Sequence, residues 1–342
     1  MARVGSMFAG IGGTCLGFMQ AGAEIVWANE IDSNACITYK NYFGDSYLQE
    51  GDISQIDKRT IPALDILIGG FPCQAFSVAG YRKGFEDDRG NVFFQIIEVL
   101  EAQLEVYGRL PQAIMLENVK NLYTHDQGNT YRVIGEALND LGYTIKSDIL
   151  NSMEYGNVPQ NRERIYIVGF LDPAQTERFR FPERIPLTNL LNDVVDRVNP
   201  VDDKLYYNQT SQYYDMLKEG ILESESRYET TYQLRRVYVR ENRSNVCPTL
   251  TANMGTGGHN VPLITDYNDR IRKLTPEECI RLQGFPQDFS FPESMANSHR
   301  YKQSGNSVTV PVIRRIAQNI LQVFEDQEIP QDHTEVFFQH NA

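Results

Sequence analysis

Short apolar runs alternate with helix-length amphipathic segments over the first 170 residues, and this alternation constrains the chain more than any other feature. Residues 3–8, 24–29, 65–68 and 112–116 read as strands, and 144–150 and 164–170 close the series. Helical spacing fills the intervals at 14–21, 34–42, 92–106 and 129–141. Parallel neighbours need crossovers of a dozen or more residues, which these helices supply. The expected fold class is therefore α/β, with a doubly wound, mainly parallel sheet.

The pattern changes near Pro182. Residues 183–265 are polar and Tyr-rich, with few strongly periodic segments. Helix grammar resumes at Thr275-Pro276-Glu277-Glu278, a capping box with proline at the first helical position. That helix should run through Leu282 and stop at Gly284, and a last helix should span 308–325. The expected division is a larger domain of 1–182 plus 266–325, a smaller irregular domain of 183–265, and a flexible tail of 326–342.

Five cysteines without a CxxC pair argue against a disulfide framework or a zinc site, so no metal is expected. No apolar run reaches membrane length and no secretory pattern opens the chain, so a cytoplasmic protein is expected. The net charge of −13 first argues against a nucleic-acid partner. Its distribution removes the objection. Residues 1–159 carry −9, but 227–265 hold five arginines against two glutamates. Phosphate contacts depend on the local field.

Five successive strand ends carry chemistry. Phe8-Ala9-Gly10-Ile11-Gly12-Gly13 follows the first strand and opens a helix, where glycines let a backbone approach a cofactor. Glu30 ends the second strand and can hold ribose hydroxyls. Asp52, after Gly51, ends the third and can accept from an adenine amino group. The glycine run is shorter than GxGxxG, which favours a nucleoside cofactor without a pyrophosphate. Gly69-Gly70-Phe71-Pro72-Cys73-Gln74 follows the fourth strand, where a cysteine is placed to act as a nucleophile. Cys15, Cys36, Cys247 and Cys279 read as ordinary buried thiols. Glu117-Asn118-Val119 ends the fifth strand. In Gln160-Asn161-Arg162-Glu163-Arg164 two arginines at i and i+2 of a strand would share one face. A thiol, a carboxylate and paired arginines beside a nucleoside site describe a reaction centre.

In this order the motifs resemble the C5-cytosine DNA methyltransferases of restriction–modification systems. FAGxGG, PCQ, ENV and QxRxR are followed by Arg272-Lys273-Leu274-Thr275, Arg281-Leu282-Gln283-Gly284-Phe285-Pro286 and Gln303-Ser304-Gly305-Asn306-Ser307-Val308. The resemblance implies a Rossmann-like, S-adenosyl-methionine-dependent fold with 183–265 as target-recognition domain. It implies that S-adenosyl-methionine is held by Phe8, the turn Gly10, Gly12 and Gly13, and Glu30, Ile31, Asp52, Ile53, Pro72, Val92, Asn306 and Ser307. Ile31 departs from the tryptophan of some relatives. The implied catalytic set is a Cys73 thiolate adding at cytosine C6, protonated Glu117 on N3 and N4, Arg164 on O2, and Arg162 in support. The target must be flipped out of the stack, with residues 75–88 as a lid. Double-stranded DNA is the implied partner, contacted by Gln74, Ser77, Arg89, Arg235, Arg236, Arg240, Arg243, Thr249, Thr251 and Gly257. The expected protein is a monomer paired in function, not by contact, with a restriction endonuclease. Two alternatives compete: an RNA cytosine-C5 methyltransferase, and a non-catalytic DNA-binding regulator. The long recognition region disfavours the first, and intact Cys73 and Glu117 disfavour the second.

Overall fold

A computed structural model describes residues 1–71, 91–256 and 260–325. The strands are β1 (Arg3–Met7), β2 (Glu24–Glu30), β3 (Leu48–Glu50), β4 (Ile66–Gly70), β5 (Ala113–Val119), β6 (Thr144–Asn151), β7 (Gln160–Asn161) and β8 (Glu163–Phe170). Seven of them form one sheet in the order β3-β2-β1-β4-β5-β8-β6. The first five in that order run parallel, and β8 runs antiparallel to both β5 and β6. The expected α/β class and mainly parallel sheet are what the chain forms.

The sheet is buried on both faces, and the strand period of two sorts its side chains between them. Ile66, Ile68, Met115 and Val168 face a core shared with α1 (Gly13–Gln20) and the last helix. Leu67, Ile114, Leu116 and Ile167 face the opposite core, with the helix Asn91–Tyr107 and the helix Asn129–Asp140. With α2 (Ser33–Phe43) these are α3 and α4 in chain order. Two short helices follow, α5 (Ser152–Tyr155) and α6 (Pro173–Arg178).

The smaller part holds α7 (Tyr214–Leu222) and a four-stranded antiparallel sheet. Its strands are β9 (Tyr232–Leu234), β10 (Val239–Glu241), β12 (Leu263–Thr265) and β13 (Ile271–Lys273), in the order β10-β9-β12-β13. At three residues each they are too short for alternation to show in a sequence; β9, β10 and β12 sit inside the region read as irregular, and β13 lies just beyond its expected end at 265. β11 (Cys247–Pro248) pairs in parallel with β7 as a separate two-stranded sheet, tying this part to the segment just before β8.

The capping box forms as expected. Thr275 Oγ1 accepts from Glu278 N at 3.0 Å, and Glu278 Oε2 accepts from Thr275 N at 2.7 Å. It opens α8 (Pro276–Arg281). Glu278 also meets Arg272, whose guanidinium is fully buried and donates to Oε2 at 2.8 Å. α9 (Asn297–Asn306) then returns to the large sheet, and α10 (Val310–Glu325) packs on α1. That helix begins two residues later than expected, because Val308 and Thr309 stay extended; Pro311 then falls in the first helical turn, where it needs no N–H partner. Gly17 permits the contact, since a Cβ there would lie 2.5 Å from Ile313 Cγ2.

Candidate active site

β1 lies between β2 and β4, so the order of connection reverses at its C-terminal end. Ligands of open α/β sheets bind outside such a reversal. A cavity of about 890 Å³ opens there.

One wall is the turn after β1. Phe8, Gly10 and Gly12 all take positive φ, at 55°, 58° and 88°. For an aromatic residue that conformation costs roughly 1–3 kcal/mol and persists only where neighbours enforce it. Here Ala9 N donates to Asn29 O, and Gly10 N donates to Glu30 Oε2 at 2.7 Å. Glu30 Oε1 accepts from Ile31 N at 2.9 Å and Asp32 N at 2.8 Å. The Gly10 N–H is thus already taken by a carboxylate of the chain itself and is not open to a phosphate. Asp52 caps a short 3₁₀ turn through Oδ1, and among the described residues its Oδ2 makes no hydrogen bond. Phe8, Gly10, Gly13, Glu30, Ile31, Asp52, Ile53, Val92, Asn306 and Ser307 all line the cavity. Gly12 does not line it. It caps α1 in a left-handed conformation, and a Cβ would meet the Phe43 ring at 2.2 Å. Gly13 lets the far wall close in, since its Cβ would stand 2.9 Å from Ser307 Oγ. Pro72 lies outside the described residues.

The second group sits at the ends of β5 and β8. Glu117 is 9 % exposed and pairs with Arg164, Nε to Oε1, at 3.1 Å. Gly70, the last residue of β4, is in register with Glu117. Asn118, buried next door, donates from Nδ2 to Phe71 O at 2.6 Å. It therefore fixes the point where the chain leaves β4 towards Cys73, which itself lies outside the described residues. Arg162 falls between β7 and β8, not within one strand, so the i, i+2 reading does not describe it. Both Nη atoms are anchored on backbone carbonyls: Nη1 donates to Leu250 O at 2.8 Å, and Nη2 to Ser307 O at 2.5 Å and Gly305 O at 3.3 Å, while the buried Nε has no partner among the described residues. Burial, and then the neighbouring Arg164, push its pKa down to about 9 against the pull of Glu117. It stays charged at neutral pH. Arg162, Arg164 and Glu117 border the same cavity as Glu30 and Asp52.

Asn118, Asp32 and Lys302 also line the cavity, and sequence reasoning assigned none of them a role. Asn118 was visible inside the ENV motif, and Asp32 as an N-cap two residues after Glu30. Lys302 had no signal. Cys15, Cys36, Cys247 and Cys279 are buried, as expected.

In the smaller part Arg235, Arg236, Arg240 and Arg243 are exposed. Arg235 N donates to Tyr238 O at 2.9 Å and closes the β9–β10 hairpin, whose tip exposes Val237 and Tyr238. Thr249 turns its hydroxyl to Asn161 O at 2.7 Å, and Thr251 bonds the Asn253 side chain. Gln74, Ser77, Arg89 and Gly257 lie outside the described residues. Among the described residues no helix is long and apolar enough to cross a membrane.

Comparison with known proteins agrees with this geometry. The chain is 53 % identical over 323 residues to the type II methyltransferase M.Bsp6I of Bacillus sp. (strain RFL6), covering 94 % of this chain and 98 % of that one. It is 37 % identical over 330 residues to the type II methyltransferase M.HhaI of Haemophilus parahaemolyticus, covering 92 % of each. The fold resembles the S. pombe Dnmt2 methyltransferase, with a TM-score of 0.69 at 20 % identity over 96 % of this chain and all of that one. It resembles the Entamoeba histolytica methyltransferase EhMeth comparably, with a TM-score of 0.67 at 19 % identity over 96 % of this chain and 99 % of that one. The family model for C-5 cytosine-specific DNA methylases matches residues 2–322, and the chain belongs to that family.

Proposed function

We propose that this DNA cytosine-C5 methyltransferase takes its methyl group from S-adenosyl-methionine and works through a covalent Cys73 adduct on a flipped-out cytosine in duplex DNA. The observation that supports this best is the sharing of one cavity by two sets of groups. Glu30 and Asp52 suit a nucleoside, while Glu117, Arg164 and Arg162 suit a polar base. Ile31, Ile53, Val92 and Phe8 supply apolar surface for an adenine ring. That the Gly10 N–H is already taken fits a cofactor that carries no phosphate.

The cofactor supplies an electrophilic methyl on a sulfonium. The chain must make cytosine C5 nucleophilic. Cys73 thiolate adds to C6, breaks the ring's aromaticity and raises electron density at C5. Glu117 sits on the N3–N4 edge and stabilises charge there as the adduct forms. Arg164, held against Glu117, is placed for O2. Arg162 positions the walls, since both of its Nη atoms hold backbone carbonyls. After methylation a base removes the C5 proton, the C5–C6 double bond re-forms and Cys73 leaves. Residues 183–265 carry target recognition, with Arg235, Arg236, Arg240 and Arg243 on phosphates or guanine edges. The larger domain is 1–182 with 266–325. In a cytoplasm containing a cognate endonuclease, methylation protects the host's own sites.

The test is transfer of labelled methyl from S-adenosyl-methionine to mixed-sequence duplex DNA, followed by mapping of modified cytosines. Label at cytosine C5, lost in Cys73→Ala and reduced at least a hundredfold in Glu117→Gln, is the expected result. Label on tRNA in place of duplex DNA, or an active Cys73→Ala protein, overturns it.

A further inference from the structure

The two walls of the cofactor cavity come from opposite ends of the chain. β2 and α2 form one, and α9 with the Asn306–Ser307 segment forms the other. Two side-chain ties join α2 to α9. The inner tie is neutral and buried, with Thr38 Oγ1 donating to Gln303 Oε1 at 2.8 Å. The outer tie is charged. Lys302 Nζ donates to Asp32 Oδ2 at 2.7 Å, and the two side chains are 48 % and 28 % exposed. Because both residues line the cavity, this ion pair spans its rim.

Asp32 is mechanically coupled to what lies inside. Its Oδ1 caps α2, accepting from Asn34 N at 3.0 Å, and its own N–H donates to Glu30 Oε1 at 2.8 Å. Moving Asp32 moves the peptide that holds the Glu30 carboxylate. Lys302 is one helical turn before Asn306 on the opposite wall. Burial alone would raise the Asp32 carboxyl; Lys302 and the first N–H groups of α2 outweigh it and hold the group below its ordinary value. Asp32 is therefore ionised at neutral pH. Opening the pair exposes two groups that water already reaches, whereas opening the Thr38–Gln303 tie would strand buried polar atoms.

We propose that Asp32 and Lys302 form a salt-sensitive strap across the rim of the cofactor cavity, closed over bound cofactor and opened about the Thr38–Gln303 tie to release it. The strap rests on the assignment of this cavity to S-adenosyl-methionine. Both residues position the walls and take no part in the chemistry.

The probe is S-adenosyl-homocysteine, titrated calorimetrically into the full chain without DNA. Asp32→Asn keeps a good N-cap and removes only the charge. Lys302→Met keeps the aliphatic stem. A partly exposed ion pair of this kind contributes at most about a fivefold change in affinity. Each single variant should bind about three- to fivefold more weakly at low salt, with faster dissociation by stopped flow. The double variant should be no weaker than either single, Lys302→Arg should stay near wild type, and the differences should shrink in 0.5 M salt as screening removes the pair. Single variants within 1.5-fold of wild type, losses that multiply in the double variant, or losses that persist in high salt overturn the strap. A wild-type chain that binds no S-adenosyl-homocysteine overturns the cavity assignment and the strap with it.

Discussion

Replacing Arg162 by methionine should loosen two separate segments at once. The guanidinium is 2 % exposed and donates to Leu250 O, Ser307 O and Gly305 O, of which the first two bonds are short. Leaving a buried carbonyl without its donor costs about 1–3 kcal/mol. Two good bonds and one long one therefore give a gross loss of about 2–6 kcal/mol. Against this, methionine removes the desolvation cost of a buried cation, which is several kcal/mol. Glu117 attracts that cation but forms no ion pair with it, so the cost is real in the wild type. The two terms offset in large part, so the net destabilisation should be at most about 3 kcal/mol. Urea denaturation followed by circular dichroism reads it as a lowered midpoint. Cofactor affinity should fall as well, because Ser307 belongs to the cavity wall. Arg162→Lys should recover less than half, since one ammonium cannot span the carbonyls of two separate segments as the planar fork does. A methionine variant more stable than wild type, or one that binds cofactor as tightly as wild type, would refute the clamp.

Gly17→Val should destabilise by about 1–3 kcal/mol or more, because the new side chain meets Ile313 and the Arg314 backbone where α1 crosses α10; thermal unfolding checks it, and an unchanged midpoint contradicts the packing. Arg272→Met should cost about 3–5 kcal/mol by stranding Glu278, and adding Glu278→Leu should return part of that, which a double-mutant cycle measures. Burial pushes the Cys36 thiol up to about 12 and raises those of Cys15, Cys247 and Cys279. At pH 8 a disulfide reagent should therefore label Cys73 alone in the native protein and nothing in Cys73→Ala; a second fast thiol would contradict this. The sign for stability follows from the same shifts. The folded thiols hold their protons to higher pH than the unfolded ones, so stability is full below about pH 9 and declines as the pH rises above it.

The large sheet was legible because its strands are four to eight residues long and its helices long enough for periodicity to register. Residues 3–8 became Arg3–Met7, with Phe8 turned out of the strand into the cavity wall. Residues 112–116 became Ala113–Val119, which carries the strand on through Glu117, the residue that matters most there. Glu30, Asp52, Glu117 and Arg164 were legible because strand ends are fixed by apolar runs, and the sheet brings strand ends together. The role of Arg162 was not, because its partners Leu250 and Ser307 lie 88 and 145 residues away. The β9–β13 sheet escaped because three-residue strands carry no period, and its stability comes from tertiary packing around Tyr232 and Leu263. Lys302 escaped because nothing local marks a lysine whose partner is 270 residues away.

The central claim is that one cysteine forms a bond to cytosine during methyl transfer. Duplex DNA carrying 5-fluorocytosine tests it directly, because fluorine at C5 cannot leave as a proton does and the adduct cannot break down. Incubated with S-adenosyl-methionine, the wild-type chain should form a complex that survives denaturing electrophoresis, with peptide mapping placing the bond on Cys73, and Cys73→Ala should form none. A wild-type chain that methylates duplex DNA but leaves no denaturant-stable complex on the fluorinated duplex, or an adduct mapped to another residue, would contradict it.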